Sequence, residues 1–165
     1  MNKVKSLRDQ MLEARKKSMS LFADIAHRLE SVAEINGVEW INDSKATDLD
    51  STYYSLELME KPVIWIAASS EMELDYRMLE KLVKYKVKQI ICFGAYETNL
   101  KYSFANVVDG YAHKSTLDEA VETAWEWAEK DDVVLFSPGT SSFALYDNYR
   151  ERGEHFKSLV QNWNK

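Results

Sequence analysis

The chain has 165 residues, which is enough for one domain with a sizeable core. Its hydrophobic fraction of 45% and charged fraction of 29% are ordinary for a globular protein, and its net charge of −6 argues against nucleic acid or an anionic membrane as the main partner. One cysteine and three scattered histidines exclude a disulfide framework, a CxxC motif and an HExxH-type metal site.

The first predicted element is an amphipathic helix over residues 3–23, in which apolar side chains recur at helical spacing. A hairpin follows, because Ser31–Ile35 and Val38–Ile41 flank Asn36-Gly37, the strongest two-residue hairpin signal. The only expected boundary separates this helix, residues 1–24, from a domain over residues 25–165.

After the hairpin, short apolar runs typical of buried strands alternate with helical patterns. The further predicted strands are Val63–Ala67, Gln89–Phe93, Val107–Ala112 and Val133–Phe136. The predicted helices are Ser51–Met59, Leu74–Tyr85, Ala95–Phe104, one that begins at Ser115 with a capping-box-like Asp118, and Ser142–Trp163 with Gly153 as a kink or close-packing point. This alternation predicts an α/β fold with a mostly parallel sheet of six strands and helices on both faces.

Two polar turns, Asn42–Thr52 and Ser137–Tyr149, follow predicted strands and are expected to meet at the carboxyl edge of the sheet. Composition alone favours the interpretation that the small polar residues of these turns are helix caps and turn formers and that Lys45 is solvated. No GxGxxG or P-loop motif is present, so the sequence predicts no unaided ATP hydrolysis. Glu71, Glu73 and Asp75 lack an EF-hand pattern, and no metal site is predicted. Without a bilayer-spanning run or a signal peptide, the expected location is the cytoplasm.

Several motifs, which occur in a fixed order along the chain, favour a functional site over this interpretation. The first half carries His27-Arg28-Leu29-Glu30, Asn36-Gly37-Val38, Ile41-Asn42-Asp43-Ser44-Lys45-Ala46-Thr47 and Ser51-Thr52. The second half carries Ser137-Pro138, Ser142-Phe143, Asn148-Tyr149 and Arg152-Gly153-Glu154-His155-Phe156. In this order the motifs resemble the C-terminal domain of the Mur ligases, and most closely its D-glutamate-adding branch. The resemblance implies a Rossmann-like, three-layer α/β domain with one antiparallel strand, preceded by an N-terminal helix.

The resemblance also implies functional residues. The full-length family uses ATP and Mg²⁺ to make an acyl phosphate, which the amine of D-glutamate displaces, in the synthesis of peptidoglycan precursors. The nucleotide-binding set implied for this chain is His27, Arg28, Asp43 and Lys45. The amino-acid-binding set is Thr47, Ser142 and Tyr149. No catalytic residue is implied on this chain itself.

The loop that contains Met72 departs from the family. Met72 stands where the family has the lysine that pairs with the side-chain carboxylate of D-glutamate, and Glu71 and Glu73 flank it. This removes a charge-assisted contact worth roughly 1.5–3 kcal/mol and adds repulsion of a dicarboxylate. Ala68 and Ser69 replace family glycines. If Met1 is the true start, the P-loop ATPase domain and the UDP-binding domain are also absent.

Three hypotheses follow. The first is a degenerate, non-catalytic ligand-binding or regulatory module that takes a nucleotide or an amino acid and has no cofactor of its own. The second is a subunit or fragment of an ATP-dependent D-glutamate-adding ligase, which predicts a P-loop ligase partner and a bare apolar face on the first helix. The third is a folded relic with no function at the old site.

Overall fold

The computed structural model of the chain describes residues 5–22, 25–142 and 144–163. Its strands are β1 (Glu30–Ile35), β2 (Val38–Asn42), β3 (Val63–Ala68), β4 (Val87–Phe93), β5 (Gly110–Lys114) and β6 (Val133–Phe136). Its helices are α1 (Leu7–Phe22), α2 (Leu49–Leu58), α3 (Glu80–Lys86), α4 (Leu100–Phe104), α5 (Leu117–Trp127) and α6 (Tyr149–Trp163). The strands form one sheet in the order β1-β2-β6-β3-β4-β5, and only β1 is antiparallel to its neighbour. The predicted mostly parallel sheet with one antiparallel strand is confirmed.

The hairpin between β1 and β2 turns at Asn36 and Gly37, where φ is +52° and +79°. Positive φ at both central positions is the geometry of a type I′ turn, whose twist matches that of the flanking strands. The predicted hairpin is confirmed, and its second strand leads directly into the polar turn that begins at Asn42.

Two apolar layers cover the sheet. Along β3, Val63, Trp65 and Ala67 face one core cluster, while the alternate residues face the other. The first cluster packs against α2, α3 and α4, and the second packs against α5 and α6. Because both faces are buried, the central strands are apolar throughout, as expected for a parallel sheet between two helical layers.

A run of stacked indole rings joins β2 to α5 and α6. The ring centroids of Trp40 and Trp125 lie 6.0 Å apart, and those of Trp125 and Trp163 lie 5.0 Å apart. Phe156 on α6 stacks on Phe136 of β6 at 4.5 Å. These aromatic contacts fix α6 against the sheet on the face opposite α2.

The predicted helix Ser142–Trp163 starts too early, since α6 begins at Tyr149. The start is set by a reciprocal cap: the Glu151 amide donates to Asn148 Oδ1 at 2.9 Å, and the Asp147 amide donates to Glu151 Oε2 at 3.0 Å. The close-packing expectation for Gly153 is confirmed, because the His27 ring lies against its Cα.

Three further helix predictions were wrong in extent. The predicted helix Leu74–Tyr85 is a 3₁₀ turn, Tyr76–Leu79, followed by α3, because the Asp75 carboxylate accepts from the Arg77 amide and tightens the chain there. In the predicted helix Ala95–Phe104 only α4 is helical. The N-cap of α5 is Thr116, which accepts from the Glu119 amide, rather than Ser115 paired with Asp118.

Helix α1 lies beside the carboxyl end of α2. Its side chains Leu7, Met11 and Leu12 are 73%, 49% and 38% exposed. The predicted boundary lies between residues 24 and 25, and residues 23 and 24 are outside the described residues. The first residues of the predicted helix are also outside them. Among the described residues, no helix is both long enough and apolar enough to cross a membrane.

Candidate functional site

The polar stretch after β2 forms a turn and then caps α2. Asn42 ends the strand, the chain turns through Asp43–Ala46, and Asp48 caps α2 by accepting from the Ser51 amide at 2.8 Å. The cap is therefore Asp48 alone, which leaves the residues of the turn available for other contacts. Gly139, with φ of +72°, donates its amide to Ala46 and holds the turn against the loop after β6.

Asp43 is 2% exposed and joins three elements. Its carboxylate accepts from Ser55 Oγ at 2.5 Å, from Ser137 Oγ at 2.8 Å and from the Leu29 amide at 3.2 Å. Burial raises the pKa of Asp43 from 3.8 to about 6, although these three hydrogen bonds act to lower it. Burial therefore disfavours the ionised form of Asp43.

A cavity of about 420 Å³ opens beside this turn, and we call it the Arg28 cavity. Arg28, Asp43 and Lys45 line it, so the structure brings together three of the four residues of the predicted nucleotide set. Leu29, Ala46, Tyr54 and Leu58 supply the apolar part of the wall, and Ser51, Ser55 and Glu57 complete the lining. A largely apolar cavity with two cations in its lining can accept a flat ring with an anionic substituent.

His27, the fourth residue of that set, does not line the Arg28 cavity. It is 4% exposed, has φ of +67°, and its Nδ1 lies 2.9 Å from Asn42 Nδ2. Its ring lies against Gly153, and its Nε2 lies 3.4 Å from Glu154 Oε1. Burial lowers the pKa of His27, which favours the neutral ring that accepts from Asn42. His27 therefore packs between the start of the Asp43 turn and helix α6.

The predicted amino-acid set is divided in space. Ser142 lines a second cavity of about 140 Å³, which we call the Arg152 cavity. Tyr149 lies instead near Lys45, whose Nζ is 5.8 Å from the ring centroid, and Thr47 is exposed. Neither Thr47 nor Tyr149 lines either cavity. Met72, in the place of the family lysine, is 72% exposed and also lines neither.

Arg152 is the site residue to which the sequence assigned no role. It is 1% exposed and donates from Nε to Ser44 Oγ at 3.0 Å, from Nη2 to the Ser44 carbonyl at 2.7 Å and from Nη1 to the Thr140 carbonyl at 3.0 Å. Burial lowers its pKa to about 10. The available signal was its spacing of four residues from Phe156 and eight from Val160, which places it on the buried stripe of α6.

The loop after β3 forms the other wall of the Arg152 cavity. Ser69 fills the space beside Gly94, and Glu71 Oε1 accepts from Tyr96 OH at 2.8 Å. Asp75 forms a separate ion pair with Arg77, 2.7 Å away. Among the described residues, no group of three His, Cys, Asp or Glu side chains is placed to hold a metal ion.

A three-layer α/β domain with two cavities at the carboxyl edge of a parallel sheet is the architecture of a ligand-binding Rossmann-like domain. Residues 27–140 match the family described as "Mur ligase, glutamate ligase domain". The chain belongs to this family and is a Mur ligase C-terminal domain.

Its relatives include the UDP-N-acetylmuramoylalanine--D-glutamate ligase of Christiangramia forsetii. The two are 42% identical over 161 residues, which is 95% of this chain and 36% of the relative. The enzyme of the same name from Cytophaga hutchinsonii is 39% identical over 143 residues, or 87% of this chain and 32% of the relative. The chain therefore spans about a third of the length of these relatives.

Solved structures share the fold at low sequence identity. The MurC UDP-N-acetylmuramate-alanine ligase from Thermotoga maritima superposes with a TM-score of 0.52 at 11% identity, covering 97% of this chain and 39% of that one. The MurF ligase from the same organism, solved in complex with ADP, gives a TM-score of 0.51 at 13% identity, covering 84% of this chain and 32% of that one. These similarities support the fold.

Proposed function

We propose that this Mur ligase C-terminal domain is a nucleotide-binding module of peptidoglycan precursor synthesis that does not add D-glutamate by itself. The observation that carries the proposal is the Arg28 cavity, in which Arg28 and Lys45 belong to a largely apolar lining. Nucleotide binding is the function that these residues support best.

The Arg28 cavity fits the chemistry of a nucleoside diphosphate. Its volume of about 420 Å³ lies within the range of about 300–1,000 Å³ typical of small-molecule sites. The ring of Tyr54, 66% exposed, offers a flat surface for a base, and the two cations can meet phosphate oxygens. Asp43 is committed to internal hydrogen bonds, so we assign it the role of holding the cavity wall.

The surroundings of Met72 argue against D-glutamate. The thioether brings no charge, and the neighbouring Glu71 lines the Arg152 cavity with a carboxylate. Compared with a site that has the family lysine, a dicarboxylate bound here would have one cationic partner fewer and one anionic neighbour more. These 165 residues contain no P-loop, so we assign the ATP and Mg²⁺ chemistry of the full-length family to residues outside them, such as those of a P-loop ligase partner.

Calorimetric titration of the full chain with ADP, ATP and D-glutamate tests this function. We expect saturable binding of ADP and ATP, no ATP turnover and no binding of D-glutamate. Lys45→Ala should weaken ADP binding, whereas Lys84→Ala, which removes a lysine in a similar contact with Tyr85, should not. Tight D-glutamate binding, ATP turnover or absence of nucleotide binding would overturn the proposal.

A second candidate is a subunit or fragment of an ATP-dependent D-glutamate-adding ligase. The exposed apolar side chains Leu7, Met11 and Leu12 favour it, because this hypothesis predicts a bare apolar face on the first helix. Mixing the chain with the part of the Christiangramia forsetii relative that lies outside the matched residues tests it. Complex formation that Met11→Asp abolishes supports this candidate, and elution as two separate species contradicts it.

A further inference from the structure

Side chains from three elements form a hydrogen-bonded cluster beside the Arg152 cavity. Asp118 lies in the first turn of α5, His155 lies on α6, and Tyr146 lies in the segment between β6 and α6. The Nε2 of His155 is 2.9 Å from Asp118 Oδ1, and its Nδ1 is 2.7 Å from the Tyr146 hydroxyl. Both imidazole nitrogens are therefore engaged by groups from outside α6, and we call these three residues the His155 cluster.

The partners of His155 fix the position of its proton. A carboxylate only accepts hydrogen bonds, so Asp118 places the N–H of the neutral ring on Nε2. Nδ1 then has a lone pair and accepts from the Tyr146 hydroxyl. Burial raises the pKa of Tyr146 to about 12, so its phenol keeps this proton across the physiological range.

Protonation of His155 reverses the bond to Tyr146. An imidazolium has two N–H donors and no acceptor, so Nδ1 must donate to the Tyr146 oxygen, and the phenolic O–H turns away. This bond gains an ionised donor, and the contact with Asp118 becomes an ion pair, which strengthens both. The gain is moderate, because the side chains of His155 and Asp118 are 35% and 61% exposed and solvent screens their attraction.

The other charges near the His155 cluster attract a cation more than they repel it. Glu151 and Arg152 stand one turn before His155 on α6 and act on the Tyr146 hydroxyl in opposite directions. Asp118 adds a second carboxylate, so two anions face one buried guanidinium. Beyond them lie Glu119, which follows Asp118 on α5, and a separate ionic group on the flank of α6 that faces β1: His27, Glu30, Glu154 and Lys157.

Tyr146 belongs to residues 144–146, a short segment that lines the Arg152 cavity and that we call the strap. The first two residues of the strap are exposed, whereas Tyr146 is half-buried. The amides of Leu145 and Tyr146 donate to the Ser142 carbonyl at 3.2 and 2.9 Å, which are contacts within the loop itself. Solvent-exposed bonds of this kind open at low free energy. The side chain of Tyr146 therefore ties the strap to α5 and α6.

We propose that Asp118, His155 and Tyr146 form a proton-sensitive anchor that holds the strap more tightly when His155 is protonated. Histidine is the side chain whose charge changes between about pH 5 and about pH 8. In mildly acidic conditions the strap therefore opens less often, and the wall that it gives to the Arg152 cavity is more rigid. This anchor is separate from nucleotide binding in the Arg28 cavity, because none of its three residues lines that cavity.

Amide hydrogen exchange of the full chain, followed by NMR, tests the anchor. The amides of Leu145 and Tyr146 report opening of the strap, after correction for the intrinsic exchange rate at each pH. We expect their protection to be about threefold or more higher at about pH 5 than at about pH 8. The amides of Val107 and Val108, which donate to the Phe104 carbonyl after α4, are the internal control and should show no such difference.

Two variants remove the anchor by different routes. Tyr146→Phe deletes the hydroxyl and keeps the ring, while His155→Gln keeps a hydrogen-bonding side chain that does not titrate. In both proteins the protection of the strap should be the same at the two pH values. His27 and Asp43 also titrate in or near this range, but both are intact in these variants, so loss of the difference assigns it to His155.

Asp118→Asn keeps a hydrogen-bond acceptor and removes the charge, so it should reduce the pH-dependent difference to about half or less. Glu126→Gln is the matched control, since it removes the same charge about 12 Å further along the axis of α5 and should leave the difference unchanged. The ¹⁵N shifts of the His155 ring give the tautomer directly. We expect Nε2–H in the neutral ring of the unmodified protein.

Equal protection of the strap at both pH values overturns the proposal, as does higher protection at the higher pH. A difference that survives in His155→Gln also overturns it, because the proton then binds elsewhere. A neutral ring with its proton on Nδ1 contradicts the direction of the bond from Tyr146. The tautomer and the exchange rates are measured on the unmodified protein, so they decide the matter even if a variant does not fold.

Discussion

His27 occupies the space that a side chain at Gly153 would need. A Cβ at Gly153 would overlap His27 Nδ1 and lie 2.9 Å from Cε1 and Cγ of the same ring. The ring cannot move away freely, because it is buried, hydrogen-bonded to Asn42 and carried by a backbone with φ of +67°. The turn before β1 and helix α6 are therefore fitted to each other at these two residues.

Gly153→Ala is expected to destabilise the domain by about 1–3 kcal/mol, the usual cost of overpacking, despite the better helix propensity of alanine. Urea unfolding followed by circular dichroism measures it. In the His27→Ala background the ring is absent, so Gly153→Ala should be neutral or stabilising. Equal costs of Gly153→Ala in both backgrounds would show that the two residues are not coupled.

Asp43 gives the stability a pH dependence of known sign. Its pKa is about 6 in the fold against an ordinary 3.8, so the folded state binds more protons between these values, and its contribution to the free energy of unfolding falls as pH rises from about 4 to about 6. A shift of about two units corresponds to roughly 3 kcal/mol. Asp43→Asn does not titrate, so the stability difference between the two proteins should change by this amount.

Urea unfolding of both proteins between pH 4 and pH 7 measures the Asp43 effect. The lowered pKa of His27 acts in the opposite direction, since a neutral ring favoured by the fold stabilises less as pH falls below 6.5. That contribution is present in both proteins and cancels in the difference. Parallel stability curves would contradict the assignment of the change to Asp43.

Ser44→Ala is expected to cost about 1–3 kcal/mol. The hydroxyl of Ser44 is buried, donates to the Tyr149 carbonyl at 2.7 Å and accepts from Arg152, so its removal leaves buried polar groups unpaired. Ser103→Ala, at an exposed position, is the control and should change stability by less than about 0.5 kcal/mol. Similar unfolding midpoints for the two variants would contradict a structural role for Ser44.

Tyr54→Ala tests the base surface of the Arg28 cavity. The ring is 66% exposed, so its removal should leave stability nearly unchanged while weakening ADP binding about tenfold. Tyr102→Ala, 88% exposed and outside that cavity, serves as the matched control. Calorimetry with ADP gives the affinities. If Tyr54→Ala binds ADP as tightly as the unmodified protein does, the ring does not contact the nucleotide.

The sheet was predictable because its signals are local. The Asn36-Gly37 turn and the apolar runs of β3, β4 and β6 each specify a strand from a few neighbouring residues. The starts of the helices were harder to predict, because several neighbouring side chains can each cap the same helix. Ser142 and Asn148 both offer a cap for the last helix, and only the reciprocal partner Glu151 favours the second.

The candidate site was predicted only in part. Arg28, Asp43 and Lys45 meet at one cavity, as the resemblance to the Mur ligase family implied. His27, one residue from Arg28, points elsewhere because its positive φ turns the chain and Gly153 leaves room for the ring. The helical spacing of Arg152 indicated its burial but not its partners, since Ser44 and Thr140 lie outside its helix in sequence.

The stacked rings of Trp40, Trp125 and Trp163 give the domain one optical reporter, and Trp65 gives it a second. Closely stacked indoles couple in near-ultraviolet circular dichroism, so this signal follows the packing of α5 and α6. Trp65 lies on the opposite face and donates to the Ser137 carbonyl, next to the hydroxyl that contacts Asp43. Its emission should therefore sense the protonation of Asp43 while the dichroism of the stack stays constant.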